Sequence, residues 1–230
     1  MVTGYMASKG IRAHERRVAS AMQMLHPQGY AMRQHGVARL FNPKPYVANY
    51  FGNKLHMDRT EKLFPIGGLT HIAGIDGFPR YIVGHVVMPV KNNIVIYDQI
   101  MKKCYENFGI FDCLRVDHGL EWCLSLDVQD RLRNYRYDQT FLPSRKTPSK
   151  ESLRIERYWG EVNDRVNYPI KNILRGMLDE GIINVEDPLD RFVTSVITQK
   201  VAQVCVYRSV LSWNHHRVSG KHSFIIHYNL

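Results

Sequence analysis

Three carboxylates in this 230-residue chain, Asp58, Asp117 and Glu156, stand out by their position in the expected elements. Asp58 falls near the end of a short strand expected over Lys54 to Arg59. Asp117 closes the apolar strand Cys113 to Asp117, and Glu156 lies on a helix after the fifth strand. Carboxylates gathered from such ends can hold two Mg²⁺ or Mn²⁺ ions about 3.5–4 Å apart, one activating an attacking oxygen and the other stabilising a leaving one. Hard oxygen donors suit these ions better than zinc. Three acids among twenty-one do not by themselves single out a site.

The helix around Glu156 sharpens the reading. Thr147 or Ser149 can cap it, and Pro148 suits a first turn. At 100° per residue Ile155, Trp159, Val162 and Val166 form one stripe, while Lys150, Arg154, Arg157 and Arg165 lie roughly opposite. Glu156 belongs to neither stripe and shares a third face with Ser149, Ser152, Gly160 and Asn163. An acid placed there flanks the core with room around it, as a metal ligand or as an ordinary solvated helix acid. Trp159 and Trp213 read as core anchors more readily than as base-stacking platforms.

Length and an apolar content of 44% allow one ordinary domain with a small appendage. No run approaches eighteen apolar residues and the N-terminus lacks the order of a signal peptide, so an intracellular chain that does not insert in membranes is expected. Cys104, Cys113, Cys123 and Cys205 form no zinc-finger spacing and are expected to be reduced and mostly packed. The net charge is +10, and residues 1–50 hold seven Lys or Arg against the single Glu15. Such an arm is the electrostatic footprint of a polyanion contact, although basic excess also occurs without one.

Residues 2–8 and Ala13 to Leu25 read as two helices around a turn at Gly10-Ile11, a helix-turn-helix or a plain basic hairpin. Arg12, Arg16 and Arg17 are its candidate nucleic-acid contacts. The stretch from His26 to about Gly52 shows no sustained periodicity and reads as a linker. Strands follow at Leu69 to Asp76 and Arg80 to Met88, joined by a turn at Gly77-Phe78-Pro79. A helix starts at Asn92 or Asn93 and closes at Gly109. Beyond the strand ending in Asp117, a helix over Leu120 to Leu132, a possible strand from Tyr135 to Leu142 and a basic loop at Ser144 to Lys146 lead to the Glu156 helix. Asp187-Pro188 opens a long helix with Val193, Ile197, Val201, Val204 and Leu211 on one side.

The words His56-Met57-Asp58, Gly74-Ile75-Asp76-Gly77-Phe78-Pro79-Arg80, Arg115-Val116-Asp117-His118-Gly119 with Glu121, Arg154-Ile155-Glu156-Arg157-Tyr158-Trp159 and Ser212-Trp213-Asn214-His215-His216 appear in this order. Together with the segment Gly10 to Val18 they resemble a eukaryotic group of integrase-core proteins with an N-terminal helix-turn-helix, related to retroviral integrases and DNA transposases. The resemblance covers roughly residues 2–218.

It implies an α/β fold, a ribonuclease-H-like mixed sheet flanked by helices, with a small N-terminal helical arm. The division implied is a partial helix-turn-helix over 1–28, a linker over 29–50, a catalytic core over 51–218 and a tail over 219–230. Asp58, Asp117 and Glu156 become the catalytic and metal-holding triad for two Mg²⁺ or Mn²⁺ ions, and Asp76 a residue that organises its turn. Arg145, Lys146, Lys150 and Arg154 join the arm as candidate contacts to DNA, with a solvated face as the alternative. His118 either fills its turn or touches DNA. The partners implied are DNA, as element ends and target, and further copies of the chain on that DNA; the location implied is nuclear. The rival readings are a non-catalytic DNA-binding protein derived from an integrase and a ribonuclease-H-like nuclease.

Members of the group carry an Asn-Gln pair where this chain has Ser152-Leu153, and Asn-His where it has Thr60-Glu61. Pro65 and Gly67-Gly68 also sit where the first hairpin should run. Those changes predict poor turnover with fold and metal binding retained.

Overall fold

The computed structural model describes residues 2–35, 46–147 and 153–216. Two compact units divide the chain, one formed by Met1–Val47 with Leu211–Leu230 and the other by Ala48–Val210.

In the first unit, α1 (Val2–Ser8) ends before Gly10, which adopts a left-handed φ of 76°, and α2 spans Glu15–Leu25. His14 caps α2, its Nδ1 accepting from Arg16 N. A third helix, α3 (Pro27–His35), occupies the start of the stretch expected to be a linker. His26 Nδ1 accepts from Gly29 N and Pro27 stands at the first position, so the helix starts on its cap and its proline despite a mixed composition. Leu25 is exposed, while Val18 and Met22, at helical spacing before it, are half-buried.

The second unit is built on a five-stranded mixed sheet of order β3-β2-β1-β4-β5. β1 (Lys54–Leu63) pairs antiparallel with β2 (Leu69–Asp76), and β2 with β3 (Ile82–Met88). β1 runs beyond the expected Arg59, so Asp58 sits mid-strand, and pairing with β2 continues to Leu63 across an irregularity after Thr60. Pro65 and Gly68 are accommodated by a single helical turn, α4 (Phe64–Gly67), which Gly68 closes with a left-handed φ of 63°.

β4 (Cys113–Val116) lies parallel to β1, and β5 (Ser144–Lys146) parallel to β4. The fifth strand is therefore the basic segment expected to be a loop. The stretch expected to be a strand, Tyr135 to Leu142, is irregular, because Asp112 and Arg136 hold its backbone: Arg136 donates to the carbonyls of Asp112 and Phe141, and Asp112 Oδ1 accepts from Asp138 N.

One sheet face packs on a helix that starts as α5 (Asn93–Ile96), passes through a π-helical turn at Tyr97–Lys102 and ends as α6 (Lys103–Phe108). Leu55, Met57 and Ile72 meet Ile96, Ile100 and Met101 there. Gly74 and Gly84 face each other across β2 and β3, and a Cβ on either would stand 3.2 Å from Ile100 Cγ2, so the bare backbone lets this helix come close. α7 (Cys123–Arg131) follows a 3-10 turn at Leu120–Trp122.

The other face packs on α8 (Leu153–Val162), whose expected stripe of Ile155, Trp159, Val162 and Val166 is buried. A π-helical turn and α9 (Tyr168–Asp179) continue it. α10 (Pro188–Asn214) is capped by Asp187, whose Oδ1 accepts from the backbone N–H groups of Leu189 and Asp190. Of its long apolar side, Val193, Ile197, Val201 and Val204 are exposed, while Thr194, Thr198, Ala202 and Ser209 are buried. No helix among the described residues is long and apolar enough to cross a membrane.

Candidate functional site

Asp58 points from the middle of β1 toward the α8 face and is only 7% exposed. Strand alternation puts it on the same side as His56. On the parallel neighbour His56 pairs with Arg115, and Asp117 follows directly after the end of β4. Glu156 lies in the first described turn of α8 with its side chain exposed, three residues before Trp159.

Two indoles hold the aspartates. Trp159 Nε1 donates to Asp58 Oδ2 at 3.0 Å, and Trp122 Nε1 donates to Asp117 Oδ1, which also accepts from Gly119 N at 2.9 Å. Beside them Arg59, the residue after Asp58, makes an ion pair with the mostly buried Glu121 and so ties the strand to the segment that follows Asp117.

The carboxylates share one field. Burial first, then the negative charges of Glu156 and Asp117, push Asp58 up to about 6, against the hydrogen bonds from Arg59 N–H and Trp159. Burial also raises Glu156. Carboxylates that raise one another in this way give the electrostatic condition for binding a cation.

Basic groups line the α8 side of the sheet. Lys54 is lowered by burial, then by Arg115 and Arg145, and Arg80 is pushed down to about 10 by burial, then by Arg154 and Arg157. Arg145 and Lys146 lie exposed on β5 and Arg154 is half-buried on α8; Lys150, Ser149 and Ser152 fall outside the described residues. Arg12, Arg16 and Arg17 are exposed in the other unit, and His118 is exposed in the turn after Asp117.

Asp76 takes no part in this group. Its two oxygens accept from Gly52 N and Phe78 N, which fixes the turn after β2, and burial pushes its carboxyl up to about 7. Behind α8 a chain of buried polar groups runs from His71 Nδ1 to His85 Nε2 at 3.0 Å, and from His85 Nδ1 to the Tyr158 hydroxyl at 2.7 Å. Burial holds His71 down to about 4 and His85 well below its ordinary value, so both rings are neutral.

Among the described residues no three His, Cys, Asp or Glu side chains form a cluster that could hold a metal ion by themselves. Mg²⁺ asks for less: it binds through one or two carboxylates, with water and phosphate oxygens filling its octahedron. The all-carboxylate donor set and the charge shared by Asp58, Asp117 and Glu156 fit that demand.

Trp122 and Arg59 escape a reading of the sequence for ligands, and Glu121 enters it only with the word around Asp117. Their signal is spacing alone: an indole five residues after Asp117, and an arginine directly after Asp58. The buried histidines carry no periodic mark that separates them from an apolar face.

The profile of the family described as "Integrase core domain" matches residues 46–225, and the chain belongs to that family. Its mixed sheet flanked by helices is the ribonuclease-H-like α/β architecture. Among solved structures it is similar to the HTLV-2 integrase catalytic core domain in complex with magnesium, in a trimeric form, at 11% identity with a TM-score of 0.37, over 65% of this chain and 86% of that one. It is also similar to the simian T-cell lymphotropic virus intasome in complex with the PP2A regulatory subunit B56 gamma, at 11% identity with a TM-score of 0.44, over 89% of this chain and 71% of that one. No curated protein matches the chain.

Proposed function

We propose that this chain is an integrase- or transposase-like polynucleotidyl transferase that acts on DNA. The observation that carries the reading is the field shared by the three carboxylates: Asp58 on β1 is raised by the negative charges of Glu156 on α8 and of Asp117, which follows the end of the adjacent parallel strand β4. Asp58 and Asp117 would hold one Mg²⁺ or Mn²⁺, and Asp58 and Glu156 a second. When bound, such a pair activates the attacking oxygen and stabilises the leaving 3′ oxygen of a phosphodiester.

The rest of the work belongs to the protein. Trp159 and Trp122 fix the aspartates' rotamers, and burial excludes water from behind Asp58. The chain supplies no nucleophile of its own; it orients DNA and neutralises charge. Arg145, Lys146, Lys150 and Arg154 near the site, and Arg12, Arg16 and Arg17 in a helix-turn-helix-like arm now counting α3, would follow the phosphate backbone. The core is taken as about residues 51–218 after an arm and linker. The chain would act as a homo-oligomer on element ends and target DNA, in the nucleus, as a product of a transposable element.

Thr60-Glu61 favours the second reading, a weakened or non-catalytic DNA-binding descendant, since Glu61 is engaged in an ion pair with Lys91. Mn²⁺-dependent nicking and strand transfer, measured on the intact chain beside Glu156→Gln, decides. Activity lost in Glu156→Gln supports the enzyme. No activity in either chain, with DNA binding retained, moves the function to the second reading.

A further inference from the structure

Asp58, Ala73 and His85 stand level on β1, β2 and β3, each paired with the next across the antiparallel ladders. Directly opposed residues share a sheet face, here the one that meets α8. Strands about 4.8 Å apart put Asp58 and His85 about 10 Å from each other, with the small Ala73 between them. The Trp159 indole crosses this gap. Its Nε1 donates to Asp58 Oδ2 at 3.0 Å, and its ring meets the His85 imidazole with centroids 5.6 Å apart at 89°. The first aspartate and a histidine of the edge strand are thus the two ends of one aromatic bridge.

His85 is fixed more tightly than packing alone would fix it. Its Nε2 is 3.0 Å from His71 Nδ1 on β2, and its Nδ1 is 2.7 Å from the Tyr158 hydroxyl on α8. A neutral imidazole has one N–H and one bare nitrogen, so His85 donates through one and accepts through the other. A flipped ring would set carbons against both partners. His71 and Tyr158 are both 0% exposed, and burying such polar groups costs desolvation that an apolar trio would not; what they add is direction. Tyr158 also holds the bridge from a second side, its ring 5.6 Å from the indole at 37°. The chain ends at His71, whose Nε2 is buried without a hydrogen-bond partner among the described residues.

We propose that His85 is a positioning residue for the carboxylate site: gripped by His71 and Tyr158, it sets the orientation of the Trp159 indole and thereby the rotamer of Asp58. The consequence for metal rests on the reading of Asp58 as a ligand. The orientation of the indole is measured without metal or DNA, so each can fail by itself.

Nuclear magnetic resonance of the indole N–H groups in the full chain tests it, first without metal and then with Mg²⁺ titrated in. Trp122, Trp159 and Trp213 give three signals, and Trp159→Phe identifies the one that matters. His85→Phe keeps a ring and removes both hydrogen bonds. It should move the Trp159 signal, leave in place that of Trp122, which holds Asp117, and weaken Mg²⁺ binding about five-fold. His71→Leu, one link further away, should do the same. His71→Asn, whose amide can stand where Nδ1 stood, should leave the Trp159 signal in place and the Mg²⁺ affinity within about two-fold of the parent. The Trp122 signal reports whether each variant is folded, and if His85→Phe does not fold, the two His71 variants decide.

A Trp159 signal unmoved in His85→Phe and His71→Leu overturns the proposal, as does one that moves only together with Trp122, the sign of general loosening. His71→Asn no better than His71→Leu overturns the part given to the hydrogen-bonded chain. Mg²⁺ held as tightly by His85→Phe as by the parent overturns the positioning of Asp58. A shifted Trp159 signal in variants of a parent that binds no Mg²⁺ supports the orientation by His85 and overturns only the metal reading of Asp58.

Discussion

The Trp159 indole donates to Asp58 Oδ2 at 3.0 Å across the contact between α8 and β1, so a single hydrogen bond joins the helix carrying Glu156 to the strand carrying the first aspartate. Trp159→Phe keeps most of the buried ring and removes that donor. Stability is expected to fall by about 1–2 kcal/mol, because the hydrogen bond goes to a charged acceptor. Asp58 then rises further, and Mn²⁺ titration followed by isothermal calorimetry should show weaker binding that recovers at higher pH. Unchanged metal affinity would leave Trp159 a packing residue only.

Asp58 itself sets a pH signature. Its folded carboxyl titrates at about 6 against 3.8 unfolded, so the folded state holds the proton longer, and ionisation lowers stability as the pH rises from about 4 through 6. Asp58→Asn removes that loss. The variant should be more stable than the parent at pH 7 by on the order of 1–3 kcal/mol, with the difference vanishing below pH 4. Mg²⁺ at ten times its Kd should stabilise the parent by roughly 1.4 kcal/mol and leave the variant unmoved. Thermal melts with and without Mg²⁺ read both effects.

The histidines act with the opposite sign. His56 is held down to about 3 and His71 to about 4, mainly by burial, so unfolding takes up protons below pH 6.5 and stability falls as the pH drops from 6.5 toward 4. Asp58 and Asp76 offset part of that slope in the same window, which makes the parent's profile shallow. Asp58→Asn should therefore steepen it, as urea titrations between pH 4 and 7 would show.

Tyr158→Phe tests the buried chain behind α8. It leaves His85 Nδ1 without the hydroxyl it meets at 2.7 Å. A loss of about 1–3 kcal/mol is expected in chemical denaturation. A variant as stable as the parent would show that the hydroxyl adds nothing to the packed ring.

Arg59 and Glu121 should be coupled. Glu121 is mostly buried beneath Arg59, so Arg59→Met leaves a shielded charge and costs more than Arg59→Met combined with Glu121→Gln. A double-mutant cycle is expected to give on the order of 1 kcal/mol, discounted because the arginine is partly open to solvent.

How much of this could be read from the sequence differs from element to element. The stripe of Ile155, Trp159, Val162 and Val166 is buried as its spacing predicts, and the asparagine cap at Asn92 and the end at Gly109 hold. These features are local, and local spacing records them. β5 was hidden because three residues with two charges carry no alternation; Ser144–Lys146 is a strand only because β4 offers it a parallel edge. α10 shows the limit most clearly. Periodicity detects an apolar face on Val193, Ile197, Val201 and Val204 but says nothing of what lies against it, and the small residues opposite, Thr198 and Ala202, are the ones that meet the protein. At the site the carboxylates are marked by neighbouring words, while the indoles that hold them are joined to them only by folding.

The parallel pairing of β1 with β4 has a consequence for how such a site could be lost. The hydrogen-bonded ladder at the centre of the sheet pairs Leu55 with Leu114 and His56 with Arg115, two residues before Asp58 and Asp117, so both acids extend from the same fixed base. Amide hydrogens around Leu55 and Leu114 should exchange with solvent only when the whole unit opens. Gradual slackening is closed to such a pair. A lineage drifting away from function would keep the two acids at their distance until one codon changed, so its descendants would divide into those with the full geometry and those missing a side chain, with few intermediates.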